Sequence, residues 1–165
     1  TQVTDHDEVG YLRDSLVREL SDNHGAAFAI SLGDNVNDVL SVYPRYLRLM
    51  GRIGVPVYYV PGNHDMNFDA PDDGLSFSTY TRFLGPTYYS FDYGDVHYIV
   101  LDSVVWDGES YHGGLDETQL EWLENDLAVT PRDKKICLAM HIPLVTWTDR
   151  DFMDGQHMVS NRVEL

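Results

Sequence analysis

Three short apolar segments end abruptly in polar side chains, and this repeated pattern constrains the fold more than any other feature of the sequence. In the clearest case, residues 57–60 favour a β-strand and stop at a Pro-Gly dipeptide, after which Asn63, His64 and Asp65 follow directly. Catalytic side chains commonly lie on loops at the carboxyl ends of strands, because the sheet beneath holds them in place. Taken alone, the Asn-His-Asp tripeptide is equally compatible with a hydrophilic turn.

The same arrangement occurs at two other places in the chain. Residues 26–32 end at a glycine that precedes Asp34, and residues 136–140 end directly at His141. Strands this apolar are typical of a sheet that is covered on both faces. We therefore expect three strands to bring Asp34, Asn63 and His141 together at their carboxyl ends. A carboxylate, an amide oxygen and an imidazole are plausible ligands for a divalent metal ion.

These motifs, in this order, resemble the second, third and fourth motifs of the calcineurin-like metallophosphoesterases. The matching residues are Gly33-Asp34, the Gly-Asn-His-Asp sequence at 62–65 and the strand-end His141. Residues 88–103 are similar to the family's hairpin before the fourth motif, and residues 115–123 are similar to the helix that follows it. The resemblance implies an α/β fold, a four-layer α/β/β/α sandwich of the metallophosphoesterase type that is truncated at both ends.

Both ends of the chain depart from the family pattern. The family opens with a strand that ends in Asp-x-His or Asp-x-Gln, and Gln2 occupies the last of these positions, so the aspartate would lie upstream of Thr1. The family's closing Gly-His-x-His segment does not follow His141, and His157 is followed by Met-Val instead. We expect residues 1–165 to be a partial calcineurin-like phosphoesterase domain, in preference to a natural short form with a defective site.

The resemblance implies a metal-dependent hydrolase of phosphoesters, either a phosphomonoesterase or a phosphodiesterase. Two divalent ions, from among Mn, Fe, Mg and Zn, would form a binuclear centre that holds a hydroxide nucleophile. Asp34 would bridge the two ions, and Asn63 and His141 would complete the shell of one of them. Gln2 would be a ligand of the other ion.

The resemblance also implies roles for the residues around the metals. His64 would act as the general acid that protonates the leaving oxygen, and Asp65 would hold the imidazole ring. His112, in a predicted glycine-flanked loop, could bind a phosphate, although an ordinary turn histidine is favoured. The loop from Met66 to Ser78 is either a solvated connection or a lid that faces the substrate.

Composition limits the classes of partner. The net charge of −16 argues against a general nucleic-acid surface, which requires clustered Lys and Arg, but it does not exclude a small phosphorylated substrate. No stretch of the sequence approaches a membrane span. The one cysteine, Cys137, is predicted to be a core residue of an apolar strand. Oligomeric state stays open, and an extracytoplasmic location (periplasmic or secreted) is favoured over a cytoplasmic one.

Hydrophobic periodicity predicts the remaining elements. They are helices at Asp5–Leu20, 41–52, 79–84 and 116–128, and a hairpin that turns at residues 93–95. Within the hairpin, His97 is predicted to be a satisfied strand histidine. Asp102, at the end of the hairpin, either supports the site or caps the strand.

Two alternatives to the metallophosphoesterase function remain at this point. One is a catalytically degenerate binding or scaffold module that retains the phosphoesterase fold. The other is a purple-type acid phosphatase, which is disfavoured because Asn37 stands where that branch has a tyrosine, three residues after the motif Asp34. The sequence does not separate monoester, diester, nucleotide, phosphoprotein and phospholipid head-group substrates.

Overall fold

The structure is a computed structural model that describes Val3 and residues 10–22, 25–144 and 158–159. Its helices alternate with short strands, as the sequence predicts for an α/β protein. The helices are α1 (residues 10–22, with a π-helical turn at Arg13–Val17), α2 (Tyr43–Met50, preceded by a 3₁₀ turn at Leu40–Val42), α3 (Asp73–Ser76), α4 (Ser78–Leu84) and α5 (Glu117–Val129). Across the described part of the chain, none of them combines the length and the apolar character needed to span a membrane.

The strands form two packed sheets and a separate hairpin. The strands are β1 (Ala29–Ser31), β2 (Val57–Tyr59), β3 (Tyr89–Tyr93), β4 (Val96–Val100), β5 (Val104–Trp106), β6 (Tyr111–Gly113) and β7 (Lys135–Ala139). Strands β1 and β2 pair in parallel, as expected for two strands joined by a helical crossover. The second sheet has the order β3-β4-β7, with β4 parallel to β7, and β5 pairs with β6 in an antiparallel hairpin.

The two sheets pack face to face through aromatic rings. Phe28, which precedes β1, lies 5.6 Å from Tyr58, 5.4 Å from Phe91 and 5.1 Å from Tyr98 between ring centroids, in edge-to-face contacts. Tyr58 of the first sheet stacks on Phe91 of the second at 3.9 Å. Edge-to-face and offset-stacked pairs are the favoured geometries of aromatic side chains. This cluster therefore joins the inner faces of the sheets.

Helices cover the outer face of each sheet. The ring of Tyr46 in α2 lies 6.1 Å from that of Tyr59 in β2, and the hydroxyl of Tyr80 in α4 donates to the Tyr59 carbonyl oxygen at 2.9 Å. On the other side, Asp126 of α5 contacts His97 of β4. The order of layers is thus helix, sheet, sheet, helix, and the predicted four-layer architecture is confirmed.

The outward-facing backbone groups of β2 are bound by side chains. The Tyr59 backbone N–H donates to the hydroxyl oxygen of Tyr89 at 3.0 Å, and that hydroxyl in turn donates to the Tyr59 carbonyl oxygen at 3.1 Å. The Tyr80 hydroxyl donates to the same carbonyl. Two tyrosine side chains therefore occupy the hydrogen-bonding positions that a neighbouring strand would use.

Helix α1 differs from the sequence prediction in its buried face. The spacing of Leu12, Leu16 and Leu20 predicts one apolar stripe, but Leu12 and Val17 are buried while Leu20 is exposed. A π-helical turn at Arg13–Val17 causes the difference, because its i→i+5 bonding changes the angular spacing of the side chains that follow. The described helix also continues two residues beyond the predicted end.

Strand β7 was predicted to be buried on both faces, and this prediction is wrong. Ile136 is 45% exposed and Leu138 is 39% exposed, although both are apolar. Among the described residues their strand lies at the edge of its sheet, and Leu127 of α5 is itself 40% exposed. A purely apolar strand sequence does not reveal whether the neighbouring helix reaches far enough to cover both of its faces.

Several local predictions are confirmed. Strands β3 and β4 form the predicted hairpin, with Gly94 in the left-handed conformation that a tight turn requires. Helix α5 begins after Asp116, whose carboxylate accepts a hydrogen bond from the Gln119 backbone N–H at 2.7 Å. Asp102 acts as a cap, because its carboxylate accepts from the Val104 backbone N–H at 3.2 Å.

His97 is the satisfied strand histidine that the sequence predicts, and its ring lies between two carboxylates. Its Nδ1 is 2.7 Å from Asp92 Oδ1, and its Nε2 is 2.7 Å from Asp126 Oδ2. Asp92 also contacts Lys134 Nζ at 2.7 Å. Burial lowers the pKa of His97, but the hydrogen bonds to Asp126 and Asp92 outweigh it, so the pKa is raised. A doubly protonated ring satisfies both carboxylates.

We predict that His97 makes the stability of the fold depend on pH. Its pKa is raised above the ordinary value of 6.5, so its contribution is fully present below that pH and is lost as the pH rises through the folded-state pKa. The free-energy difference between the wild-type protein and His97→Gln, from urea unfolding, should therefore shrink with rising pH. An NMR titration of the ring locates the folded pKa, and a difference that grows with pH would contradict the prediction.

Candidate active site

The three side chains expected to meet at the strand ends do meet in the structure. His141 Nε2 lies 3.1 Å from Asn63 Oδ1 and 3.3 Å from Asp34 Oδ1. Asp34 follows β1, Asn63 follows β2 and His141 follows β7, so each residue is delivered by a different strand. The two packed sheets thus place a nitrogen and two oxygens, all capable of donating lone pairs to a metal, around one point.

The backbone determines which nitrogen of His141 faces this point. His141 Nδ1 lies 2.9 Å from the carbonyl oxygen of Leu32, which can only accept a hydrogen bond, so Nδ1 carries the proton. In the neutral ring, Nε2 then has a free lone pair that is directed towards the oxygens of Asn63 and Asp34. A metal-binding histidine is typically oriented by a carbonyl in this way.

Two glycines allow the strand ends to approach one another. A Cβ atom on Gly33 would lie 2.5 Å from His141 Nδ1, and a Cβ atom on Gly62 would lie 2.2 Å from the Asp34 backbone nitrogen. Both distances are far shorter than van der Waals contact. Gly33 also has φ of +88°, a left-handed conformation that favours glycine. The glycines of the Gly-Asp and Gly-Asn motifs are therefore required by close packing.

Asp34 itself adopts an unusual backbone conformation. Its φ of +50° lies in the left-handed region, which costs free energy in most side-chain-bearing residues but is tolerated by aspartate. Its Oδ1 accepts a hydrogen bond from the His64 backbone N–H at 3.2 Å. This contact joins the Gly-Asp motif to the Gly-Asn-His-Asp motif and directs the carboxylate towards Asn63 and His141.

The acid that contacts His64 is Asp38, and the predicted contact with Asp65 does not form. His64 Nδ1 lies 2.8 Å from Asp38 Oδ1, and the Asp38 backbone N–H donates to the His64 carbonyl oxygen at 3.1 Å. The His64 side chain is 31% exposed, so its other ring nitrogen can meet a ligand. Asp38 has φ of +64°, a conformation that its short polar side chain tolerates.

Asp65 is fully buried, and its carboxylate binds backbone groups of the loops that follow β1 and β2. Its carboxylate accepts hydrogen bonds from the backbone N–H groups of Asn35, Val36 and Gly62 at 3.0–3.2 Å, and from the Asn35 side-chain amide at 3.0 Å. The Tyr43 hydroxyl also donates to it, at 2.9 Å. Burial raises the pKa of Asp65, while these donors oppose the rise. With both oxygens occupied, the carboxylate of Asp65 cannot also hold the His64 ring.

The loop after Asp65 is ordered by polar contacts at its base. Asn67 receives hydrogen bonds from the Thr79 backbone and the Ser78 hydroxyl, and its amide donates to Thr79 Oγ1 at 2.9 Å. Farther along, Asp73 Oδ1 accepts from the Trp106 backbone N–H at 2.7 Å, and helix α3 replaces part of the predicted irregular loop. These contacts therefore attach the segment to α4 and β5.

The remaining predicted site residues are His112 and Gln2. His112 belongs to strand β6, where it pairs with Val105, and the predicted loop around it is wrong because residues 104–106 and 111–113 form a hairpin. Its described charged neighbours are Asp73 and Asp107, and none of its described contacts reaches Asp34, Asn63 or His141. Gln2 lies outside the residues that the structure describes.

Two residues of the site were missed by sequence analysis. Asp38 falls in a polar run, and its spacing of four from Asp34 carries no specific signal. Asn35 is fully buried, donates to the Val60 carbonyl oxygen at 3.1 Å and accepts from the Tyr46 hydroxyl at 3.1 Å. Placement directly after a motif aspartate was the one available hint for Asn35.

Within the described ranges, no three His, Cys, Asp or Glu side chains form a metal-binding group. The point between Asp34, Asn63 and His141 supplies two such side chains and one amide oxygen. A carboxylate, an imidazole and an amide oxygen together suit a hard or borderline divalent cation and not a thiophilic one. These three residues could therefore hold part of a metal shell.

Comparison with known proteins supports the family resemblance that the sequence motifs indicate. The profile of the calcineurin-like phosphoesterases matches residues 10–162. The chain belongs to the calcineurin-like phosphoesterase family. Its fold agrees with this membership: a purple acid phosphatase from yellow lupin seeds superimposes with a TM-score of 0.54 at 17% identity, over 76% of this chain and 24% of that protein.

Curated members of the calcineurin-like phosphoesterase family are also similar to the chain in sequence. A probable glycerophosphodiester phosphodiesterase, GpdQ, of Arcobacter nitrofigilis is 34% identical over 141 residues, which is 84% of this chain and 48% of that protein. The 3',5'-cyclic adenosine monophosphate phosphodiesterase CpdA of Escherichia coli K12 is 30% identical over 149 residues, 86% of this chain and 48% of that protein. The chain thus spans about half the length of these relatives.

We predict that Asp65→Asn strongly destabilises the full-length protein. The new amide would direct N–H donors at backbone donors that now face a carboxylate oxygen, so the expected loss in free energy of unfolding is about 3–5 kcal/mol. Asp69→Asn, at an exposed carboxylate four residues away, is the matched control and should change stability by less than about 0.5 kcal/mol. Urea unfolding measures both, and equal midpoints for the two variants would contradict the structural role of Asp65.

Proposed function

We propose that the protein containing this chain hydrolyses phosphoesters with a binuclear divalent-metal centre, and that its substrates include phosphodiesters. The observation that carries the proposal is the convergence of Asp34, Asn63 and His141 at the strand ends, next to His64 and its partner Asp38. Two similar relatives are named as phosphodiesterases, which supports the diester class.

The chemistry of the donor set fits a divalent ion. Asp34 would be shared between the two ions, since a carboxylate has two oxygens and a full negative charge. Asn63 and His141 would complete one shell, and Gln2 is proposed as a ligand of the second ion. When bound, such a pair lowers the pKa of water so that hydroxide can attack phosphorus, and it neutralises charge on the phosphoryl oxygens.

The identity of the ions follows only in part from the ligands. The set contains oxygen and imidazole donors without a thiolate, which leaves Mn, Fe, Mg and Zn as candidates. Cys137 lies within β7, in register with Tyr98 of β4 and four residues before the strand-end His141. The glutamine proposed for the second ion is a hard oxygen donor and tilts the choice towards Mg or Mn.

His64 is proposed to deliver the proton to the leaving oxygen. Asp38 binds Nδ1, so the acidic proton is delivered from Nε2, on the ring edge that is open to a ligand. The reciprocal backbone bond from Asp38 N–H to the His64 carbonyl oxygen fixes the two residues relative to each other. Asp38 acts as a positioning residue, because it orients the ring without contacting the substrate.

We predict that metal content and turnover fall together when Asp34 is changed to Asn. The full-length natural protein should hold about two divalent ions per chain by elemental analysis, as expected for a two-metal hydrolase. Asp34→Asn removes the shared charge, so it should lower both metal content and the rate of hydrolysis of a chromogenic phosphodiester. Glu124→Gln, at an exposed carboxylate of helix α5, should leave both unchanged.

The same measurement can overturn the proposal. A wild-type protein that binds no metal and hydrolyses neither a phosphomonoester nor a phosphodiester after Mn, Fe, Mg or Zn is supplied is not the proposed enzyme. That result would favour a binding or scaffold module that retains the fold. Full metal content in Asp34→Asn would remove this residue from the proposed centre.

We predict that Asp38→Asn lowers kcat by roughly tenfold to a hundredfold, because a misoriented general acid loses part of its rate advantage. The loss should be large for a diester with an alkyl leaving group, which needs a proton, and small for a 4-nitrophenyl diester, which leaves without one. KM should change little, since Asp38 does not contact the substrate.

The variant His64→Gln provides the reference for this test. If Asp38 acts through His64, then Asp38→Asn in the His64→Gln background should cause little further loss. Equal losses for both leaving groups, or additive losses in the double variant, would show that Asp38 serves only the stability of the loop.

A further inference from the structure

An exposed aromatic side chain lies close in sequence to His64 and has no role in the chemistry described above. Phe68 is 43% exposed and lies four residues after His64, so roughly 14 Å is the farthest that the chain allows between the two Cα atoms. Met66, between them, is buried and keeps the segment on the protein. Phe68 is thus an exposed aromatic on the loop that follows the Gly-Asn-His-Asp motif.

Phe68 is supported from below by a buried tryptophan. Its ring lies 5.7 Å from that of Trp106 at 87°, the edge-to-face geometry favoured by aromatic pairs. Trp106 is 5% exposed, and its indole Nε1–H donates to the Ala70 carbonyl oxygen at 2.9 Å. Its backbone N–H donates to Asp73 Oδ1. The ring of Phe68 therefore packs on a buried side chain that is itself hydrogen-bonded to the same loop, unlike an isolated surface aromatic.

The hairpin that carries Trp106 packs against the residue that follows His141. Trp106 lies on β5, which pairs with β6, and a Cβ atom on Gly113 of β6 would lie 2.7 Å from Ile142 Cγ2. Ile142 follows His141 directly, and its backbone N–H donates to the Ser103 hydroxyl oxygen at 2.8 Å. Phe68 is thus linked to His64 along the chain, and its support Trp106 is linked to the residue after His141 through this hairpin.

Charge around Phe68 disfavours polyanions. Asp69 and Asp72 are exposed on the same loop, and the chain as a whole carries a net charge of −16. A substrate with one negative charge is repelled less than a monoester dianion or a polyphosphate. An aromatic face next to fixed carboxylates therefore suits a singly charged ester with a flat, uncharged ring.

We propose that Phe68 is a specificity-determining residue that stacks on an aromatic group of a monoanionic phosphodiester, such as the base of a nucleotide diester. The inference rests on the proposed hydrolysis of phosphodiesters and names the substrate class of that site. Stacking on an aromatic side chain tolerates any base, because every base has a π-face. Diesters that lack a ring, such as glycerol diesters, gain nothing from Phe68.

The test compares two diesters of equal charge on the full-length, metal-loaded protein. One is a purine nucleoside cyclic monophosphate, and the other is the phosphate diester of glycerol and methanol. Phe68→Ala should raise KM for the nucleotide roughly tenfold through loss of one stacking contact, with kcat little changed. The glycerol diester should be hydrolysed as by the wild type, which also shows that the variant is folded.

Two further variants distinguish stacking from a general effect on the loop. Phe68→Trp keeps an aromatic face and should retain the wild-type KM for the nucleotide. Leu75→Ala truncates another exposed apolar side chain of the same segment, 51% exposed, and should leave both diesters unaffected. Equal effects of Phe68→Ala on both diesters, or an effect of Leu75→Ala as large, would overturn the proposal.

Binding is measured separately from turnover, so that the inference and the proposed function can fail independently. Saturation-transfer NMR on the aromatic protons of the nucleotide reports contact with the protein even if no hydrolysis occurs. Contact that disappears in Phe68→Ala without turnover of either diester by the wild type would support the aromatic subsite and overturn the hydrolase. Turnover of both diesters with contact unchanged in Phe68→Ala would overturn the subsite and support the hydrolase.

Discussion

The buried carboxylate of Asp65 joins the two polar loops on which the site depends. It receives backbone N–H groups from residues 35 and 36 after β1 and from Gly62 after β2, as well as the hydroxyl of Tyr43. A buried carboxylate is costly unless its lone pairs are satisfied, so this arrangement selects one relative position of the loops. The metal-type donors Asp34 and Asn63 lie directly beside the residues that Asp65 binds.

Close approach of the backbone complements this electrostatic link. The loops after β1, β2 and β7 crowd together so tightly that neither Gly33 nor Gly62 leaves room for a Cβ atom. Crowding brings His141 Nε2 within about one hydrogen-bond length of two oxygens, where lone pairs repel unless a proton or a cation lies between them. The fold therefore brings three lone-pair donors together, and a bound cation would remove the repulsion between them.

The sequence predicted the residues at strand ends better than the contacts between them. Asp34, Asn63 and His141 were found because the strand-breaker-polar pattern is local, and sheet geometry then brings such ends together. The partner of His64 was not found, because adjacency in the chain favoured Asp65, while the structure turns that side chain inward and brings Asp38 back. Exposure of Ile136 and Leu138 likewise depends on how far α5 extends over the sheet, which hydrophobicity does not encode.

The two tyrosine hydroxyls that bond to the backbone of Tyr59 in β2 have a consequence for association between molecules. An open strand edge normally offers free N–H and C=O groups that can recruit another extended chain and seed aggregation. Here the outward N–H and carbonyl of Tyr59 already bond to Tyr89, with Tyr80 adding a second donor. The first sheet is thus closed at this position to a strand from a neighbouring molecule by two tyrosine hydroxyls, one of them from helix α4.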